Sequence, residues 1–320
     1  MFRMIMTALA ASMALLPSAF SQTWPAKPIH LVVPNAPGGP TDLVARVLAQ
    51  KMTESLGQQA IVENRIGAGG IVGTESVARA TPDGYAILVS AAGPMVITPH
   101  FNAGLPYDPL RDFAPVALGA TAPMILVTPP NGAKSLQELI AQARAQPGRL
   151  NYATAGVGTP PHLSAELLKS MAGIDVLHVP YKGTPQVEAA AMNGEVNFTF
   201  TQPTILNMAK AGRVRALAIS SARRSSLAPD VPTLAESGLP GFEVTAWYGL
   251  FAPSRTPDEI VQRLNAEVMR ALPQPEVAER FKAMGFEAAA AHGAGEFAAF
   301  VRQESAKWQK VVKEAGIKGE

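Results

Sequence analysis

A chain of 320 residues, 48% hydrophobic and only 16% charged, is globular rather than disordered and long enough for two domains of ordinary size. Its 27 Lys and Arg against 25 Asp and Glu leave a net +2, and no basic run exceeds Arg223-Arg224, which excludes the concentrated positive face that nucleic acid requires. Having no cysteine, it excludes disulfides, thiolate catalysis and cysteine-ligated zinc.

The chain opens with "MFRMIMTALAASMALLPSAFSQ": Arg3, an apolar stretch from Met4 to Leu16, then Pro17 and small residues. This is the pattern of a cleavable export signal over residues 1–21, with Ala19 and Ser21 at the cleavage spacing. The apolar stretch is shorter than the roughly 20 residues that a membrane span needs.

From Pro28, "IHLVVP" predicts a strand buried on both faces. It runs through "PNAPGGPTD", residues 34–42, into a helix in which Leu43, Val44, Val47, Leu48 and Met52 share one side and which Gly57 closes. "QAIVENR" then predicts a strand, "GIVGTESVARA" a helix and "YAILVSAAG" a strand. The uncharged stretch from Phe113 to Ala133 carries four prolines, at 115, 123, 129 and 130, so it predicts one or two buried strands rather than a span. Next come a helix at "SLQELIAQARAQ" and a strand at "LNYATAG", leading into the helix "PPHLSAELLKSMAG". After it follow the strand "DVLHVPYKG", the helix "TPQVEAAAMNG", the strand "VNFTFTQ", the helix "TILNMAKAG" and the strand "VRALAIS". Single helices between short strands predict parallel sheets with right-handed crossovers.

Residues 221–241 are irregular, and "FEVTAWYGLFAP" predicts a strand. Two closing helices follow. Thr256 is expected to cap the first, with Pro257 at its first position; the last spans about 295–315. These pieces have no sheet of their own to cover, so they are expected to return to the first domain. The organisation expected is an α/β protein with a signal peptide (1–21), one lobe from 22–124 plus 221–320, and an inserted lobe from 125–220. Two crossing connections make a hinge, and a hinge between lobes makes a cleft.

Ligands of open parallel sheets bind beyond the carboxyl ends of the strands. "PNAPGGPTD" and "ATAGVGTPPH" (153–162) both sit there, each a glycine turn ending at a helix N-terminus. Neither contains Lys or Arg, so an anion would be held by main-chain donors. The candidates are Ala36, Pro37, Gly38, Gly39, Thr41 and Asp42 in the first loop and Ala155, Gly156, Val157, Gly158, Thr159 and His162 in the second, with Ser90 and Ala91 ending a strand beside the cleft. His162 either donates to the ligand or steadies its loop; Asp42 either orients its loop or simply complements the helix dipole. The Gly-Lys-Ser/Thr ending of a phosphate loop is missing. In "GAGGIVG" and "GVGTPP", Val72 and Pro161 occupy the place of a required glycine of a dinucleotide fingerprint. A carboxylate fits better, since two to four amides suffice to hold it.

The sequence carries neither G-x-S-x-G nor H-E-x-x-H, and histidines 30, 100, 162, 178 and 292 have no metal-ligand spacing. The expectation is therefore a binding protein, not an enzyme, with no cofactor and no metal.

"KPIHLVVPNAPGGPTDLVAR", "VENRIGAGGIVGTESVARATPDGY", "LPYDPLRDFAPV", "LNYATAGVGTPPHLSAELLKSMAG", "HVPYKG" and "PDVPTLAESGLPGFEVTAWYGLFAP" together resemble the tripartite tricarboxylate transporter receptor, or Bug, family from about Trp24 to Ile317. The resemblance implies a two-lobed periplasmic binding protein, a Venus flytrap of type II-like class with a two-strand hinge, acting as a monomer. It implies capture of a small carboxylate by loops 35–42 and 154–162 and delivery to a two-component membrane permease. The alternative partner is a membrane signalling protein. The chain departs from the family in three places, one of them a stretch one residue shorter than usual after "YKG". Asn35 replaces the usual aromatic before the proline-glycine turn, making the entrance more polar or reflecting drift. Thr201 stands where an aspartate is common. If that aspartate meets a cationic ligand group, Thr201 points away from amino acids towards a simple carboxylate, an expectation that tight binding of aspartate or glutamate would contradict.

Overall fold

The structure, a computed structural model, describes residues 24–314. The expected signal peptide, residues 1–21, lies outside the described residues. Two sheets organise the chain.

The first begins with β1 (Ile29–Val33), whose apolar run is buried on both faces as its composition predicts. Helix α1 (Pro40–Leu56) follows, ended by Gly57 in the left-handed conformation. Then come β2 (Ala60–Asn64), α2 (Ile71–Ala78) and β3 (Ala86–Ala91). A single turn of π-helix (Gly93–Ile97) and the short α3 (Pro109–Asp112) lead to β4 (Phe113–Pro123). The uncharged stretch is thus split as foreseen, with β5 (Ile125–Thr128) opening the second sheet. That sheet is completed by α4 (Leu136–Ala145), β6 (Asn151–Thr154), α5 (Pro160–Ala172), β7 (Leu177–Pro180), α6 (Thr184–Asn193), β8 (Phe198–Thr201), α7 (Leu206–Lys210) and β9 (Arg215–Ile219). The chain then returns to the first sheet as β10 (Thr245–Pro253), followed by α8 (Asp258–Ala271), α9 (Pro275–Ala283), β11 (Glu287–Ala288) and α10 (Ala294–Glu314).

The strand orders are β11-β4-β10-β3-β1-β2 and β7-β6-β8-β5-β9. The parallel expectation holds only for the core of each: β1 with β2 and β3, and β6 with β7 and β8. β10 is antiparallel to β3 and β4, and β5 to β8 and β9. The reason is connectivity: β4 carries the chain towards the second sheet and β10 carries it back, so side by side they must run in opposite senses.

Two further readings need correction. α8 begins at Asp258, after Pro257, and the Thr256 hydroxyl is buried without a hydrogen-bond partner among the described residues; it does not cap the helix. Instead the Pro257 carbonyl accepts from the amides of Ile260 and Val261 at 3.0 and 3.1 Å. Between the two expected closing helices lies a third, α9, headed by Pro275 in its first turn.

The sheets meet at a joint built around one hydroxyl. Ser220, fully buried, accepts from the Met124 amide at 2.7 Å and donates to the Val244 carbonyl, while its own main chain bonds Met124 O at 2.8 Å and Val244 N at 2.9 Å. The outgoing and returning connections are thereby tied to each other. A continuous apolar core runs past this joint, from Val32 and Leu88 in the first sheet to Leu126, Tyr152 and Phe200 in the second. Trp247 and Trp308 anchor one side, both indoles donating to Glu304 Oε2, at 3.3 and 3.0 Å. No helix among the described residues is long and apolar enough to cross a membrane.

Candidate functional site

Beyond the carboxyl ends of the strands, between the two sheets, lies a cavity of about 190 Å³. The first residues of three helices reach it: Pro40 of α1, Pro160 of α5 and Thr184 of α6. Each helix start carries a partial charge of roughly +0.5. Pro40, Pro160, Pro161 and Pro185 have no N–H, so the main-chain donors of these first turns are few, with Thr184 the one in the wall that keeps its own. The remaining wall is mostly apolar, from Met124 at the joint, Phe200, Val187, Ala246 and Tyr248, with Thr159, Thr201 and Gln202 supplying polar groups. No Lys or Arg lines it. A small anion with an apolar body suits such a space.

The first glycine loop is braced by Asp42. This residue is almost wholly buried, and its carboxylate accepts from the Gly38 amide at 2.9 Å, from Arg46 Nε at 2.8 Å and from Asn64 Nδ2 at 2.9 Å. Burial alone would raise its pKa, but the hydrogen bonds from Arg46, Gly38 and Asn64 and the Arg46 charge outweigh it, holding the carboxyl below its ordinary 3.8. Gly38 takes φ of 79°, open to glycine at little cost. Its amide is committed to Asp42, and that of Gly39 to Ala36 O at 3.3 Å. The amides of Thr41 and Asp42, in the first turn of α1, make no main-chain hydrogen bond to another described residue. Asn64 also donates to the Asn35 carbonyl at 3.0 Å, fixing where the loop enters.

The second loop rests on a buried aromatic and polar cluster. Gly156 and Gly158 take φ of 132° and 75°. Thr159 Oγ1 donates to Gly156 O at 2.8 Å, and the Gly156 amide meets Thr154 Oγ1 at 3.2 Å. Below them Thr154 pairs with His178 Nε2 at 2.6 Å, His178 stacks on Tyr152, and the Tyr152 hydroxyl donates to Glu166 at 2.5 Å. His162 is buried and takes the Gly158 amide on Nδ1 at 3.4 Å, so it supports the loop from beneath. Burial, followed by the charge of neighbouring His178, pushes its pKa down to about 4. Since the folded value lies below the ordinary 6.5, the contribution of neutral His162 is complete above pH 6.5 and is lost as pH falls towards 4. We expect stability and ligand affinity to decline together over that window, and His162→Gln to flatten the decline; urea melts at half-unit pH intervals check this.

Of the sequence-derived candidates, Ala155, Thr159 and Thr201 line the cavity. Asn35, Ala36, Pro37, Gly38 and Gly39 do not, their loop reaching it through Pro40; Gly156, Val157, Gly158, Thr41, Asp42 and His162 are likewise absent from the wall. The tip at Gly158 instead lies against the Phe101 ring of the first sheet's side, where an added Cβ would come within 3.3 Å. Ser90 is fully buried, with its hydroxyl unpartnered among the described residues, and Ala91 is the strand partner of Tyr248, one strand away from the wall. Missed by sequence reasoning were Tyr248, Phe200, Gln202 and the α6 start. Only the last left a signal, the "YKGTPQ" turn, where Gly183 precedes a Thr-Pro helix opening. Burial raises the Tyr248 pKa, keeping its hydroxyl protonated as a donor. Among the described residues no group of three His, Asp or Glu is placed to hold a metal.

Residues 44–317 match the family model described as "Tripartite tricarboxylate transporter family receptor". The fold is shared with the structure titled periplasmic binding protein BugD, at 36% identity and a TM-score of 0.76, covering 93% of this chain and 100% of that one. It is also shared with R. palustris Rpa4515 with adipate (34% identity, TM-score 0.78, 92% and 99% covered). A third similar structure is MatC from Rhodopseudomonas palustris with bound malate (37% identity, TM-score 0.74, 90% and 100% covered).

Proposed function

We propose that this chain, which belongs to the tripartite tricarboxylate transporter receptor family, captures a small carboxylate in the periplasm and hands it to a two-component membrane permease. The observation that carries the reading is the convergence of three helix N-termini on one small, largely apolar cavity without Lys or Arg in its wall. Such a site favours negative charge through fixed main-chain dipoles, while the apolar wall accommodates a hydrocarbon body. The adipate and malate bound to two similar proteins are ligands of that chemistry.

In this reading residues 22–124 with 221–320 form one lobe and 125–220 the other. An open cleft admits the ligand; closure about the Met124 and Val244 joint brings Asn35 to Gly39 and Gly156 to Gly158 towards it, and ordered water completes its hydrogen bonding. The ligand shifts the population by its greater affinity for the closed form. The role is capture by a monomer, without a catalytic step.

A thermal-shift screen across mono-, di- and tricarboxylates tests the reading. A true ligand at 100 times its Kd is expected to add about 2.7 kcal/mol and raise the Tm measurably. Stabilisation by phosphate or a sugar, with every carboxylate silent, would overturn it.

A further inference from the structure

The three helix starts around the cavity are not electrostatically equal. Two of them, at Pro40 and Pro160, carry no acidic side chain that touches the wall. The third belongs to α6, where Thr184, Val187 and Glu188 fall three and four residues apart and so share one side of the helix. Thr184 and Val187 line the cavity. Glu188 stands beside them, its Oε1 accepting a 2.8 Å hydrogen bond from Oγ1 of Thr201, a buried residue that also lines the cavity. Among the described residues no Lys, Arg or His lies within ion-pair distance of Glu188. Its charge is therefore uncompensated and lies one turn inside the helix, where it offsets the positive end that Thr184 would otherwise present.

The cavity consequently has two ends of opposite character. One, between the α1 and α5 starts, favours a carboxylate. The other, at Thr184, Thr201 and Gln202, has Glu188 behind it and favours a hydrogen-bond donor. Resting on the carboxylate reading above, we infer that Glu188, positioned by Thr201, selects ligands with a carboxylate at one end and a hydroxyl or ammonium group at the other, and disfavours a second carboxylate. This revises the expectation drawn from Thr201. The missing aspartate does not leave that position neutral, because the threonine hydroxyl recruits an acid from the neighbouring helix. Glu188 is not itself in the wall and acts through Thr201, whose hydroxyl proton it holds: a second carboxylate there meets an acceptor oxygen backed by a like charge and is repelled, whereas a donor can bond the Thr201 oxygen.

The test is isothermal titration with matched unbranched acids: succinate, 4-hydroxybutyrate and 4-aminobutyrate, then adipate, 6-hydroxyhexanoate and 6-aminohexanoate. In the native protein the better of the two donor-ended acids should bind about tenfold or more tightly than the diacid of the same length. Glu188→Gln keeps an acceptor for Thr201 but removes the charge, and should narrow that ratio by about tenfold, chiefly by tightening the diacid. Circular dichroism melts of the variant should match the native protein, since the residue is partly exposed and uncharged glutamine suits a helix. A diacid that binds as tightly as both donor-ended acids, or a ratio unmoved by Glu188→Gln, overturns the inference while leaving the carboxylate reading intact. Failure of every acid here and in the thermal-shift screen overturns both.

Discussion

Asp42→Ala is expected to weaken ligand binding by about 10- to 100-fold and to lower stability by about 2 to 3 kcal/mol. Among the described residues the carboxylate is the only side chain bonded to the Gly38 amide, and through Asn64 it also fixes where the loop leaves β1. Without it the loop keeps its glycines but loses the bracing that aims its amides, the loss of one or two charge-assisted contacts to the ligand. The stability cost stays at the low end for a buried ion pair because Arg46 is half exposed and regains water when its partner goes. The pH dependence has a definite sign. Because the folded pKa lies below the ordinary 3.8, the contribution of Asp42 is complete above that value and is lost as pH falls below it. Chemical denaturation between pH 3 and 5 should show a steep acid limb in the native protein and a shallower one in the variant. An affinity unchanged in a variant whose Tm has dropped would show that the loop does not depend on this brace.

Ser220→Ala is expected to cost about 3 kcal/mol and lower the Tm by roughly 6 to 10 °C. The substitution strips the Met124 amide of its acceptor in a fully buried setting and removes the donor to Val244 O. An unmet buried donor carries its full desolvation penalty, which exceeds the net value of an ordinary hydrogen bond. Ser220→Thr, which keeps the hydroxyl, should recover part of the loss unless its extra methyl overpacks the joint. A Ser220→Ala protein that melts within about 1 °C of the native one would mean that the joint is held by packing alone.

Much of this architecture is written in local chemistry. Gly57 sits in the left-handed conformation at the end of the helix it was expected to close, Gly173 and Gly194 do the same for α5 and α6, and each glycine loop leads into a helix with proline in its first turn. What the sequence hides is set by neighbours distant along the chain. β10 is buried along nearly its whole length because both faces are covered, so its residues show no alternation from which to tell that Tyr248 faces a cavity and Trp247 the core. Its antiparallel pairing is invisible for the same reason: direction follows from where the chain returns, which no periodicity records. Thr256 carries every local mark of a cap yet lies one residue too early, Pro257 having taken the place beside the helix. The pairing of Thr201 with Glu188, 13 residues apart, depends on α6 folding back over β8 and leaves no trace in spacing.

The tie between Met124, Ser220 and Val244 also has a mechanical meaning. In the proposed closure, two crossing chains free to slide would let the lobes shear and twist, whereas two chains bonded to one hydroxyl would act as a pin that favours a swing about it. Met124 itself, with Ala246 and Tyr248 close by in sequence to Val244, forms part of the cavity wall, so a ligand held in the proposed site would lie close to the pin. That is the short arm of a lever. If the lobes close as proposed, a ligand longer by one methylene would hold the arms apart near the axis, and the displacement would grow in proportion to distance towards the outer face. A membrane partner that touches only that face would thereby sense the size of a molecule it never contacts.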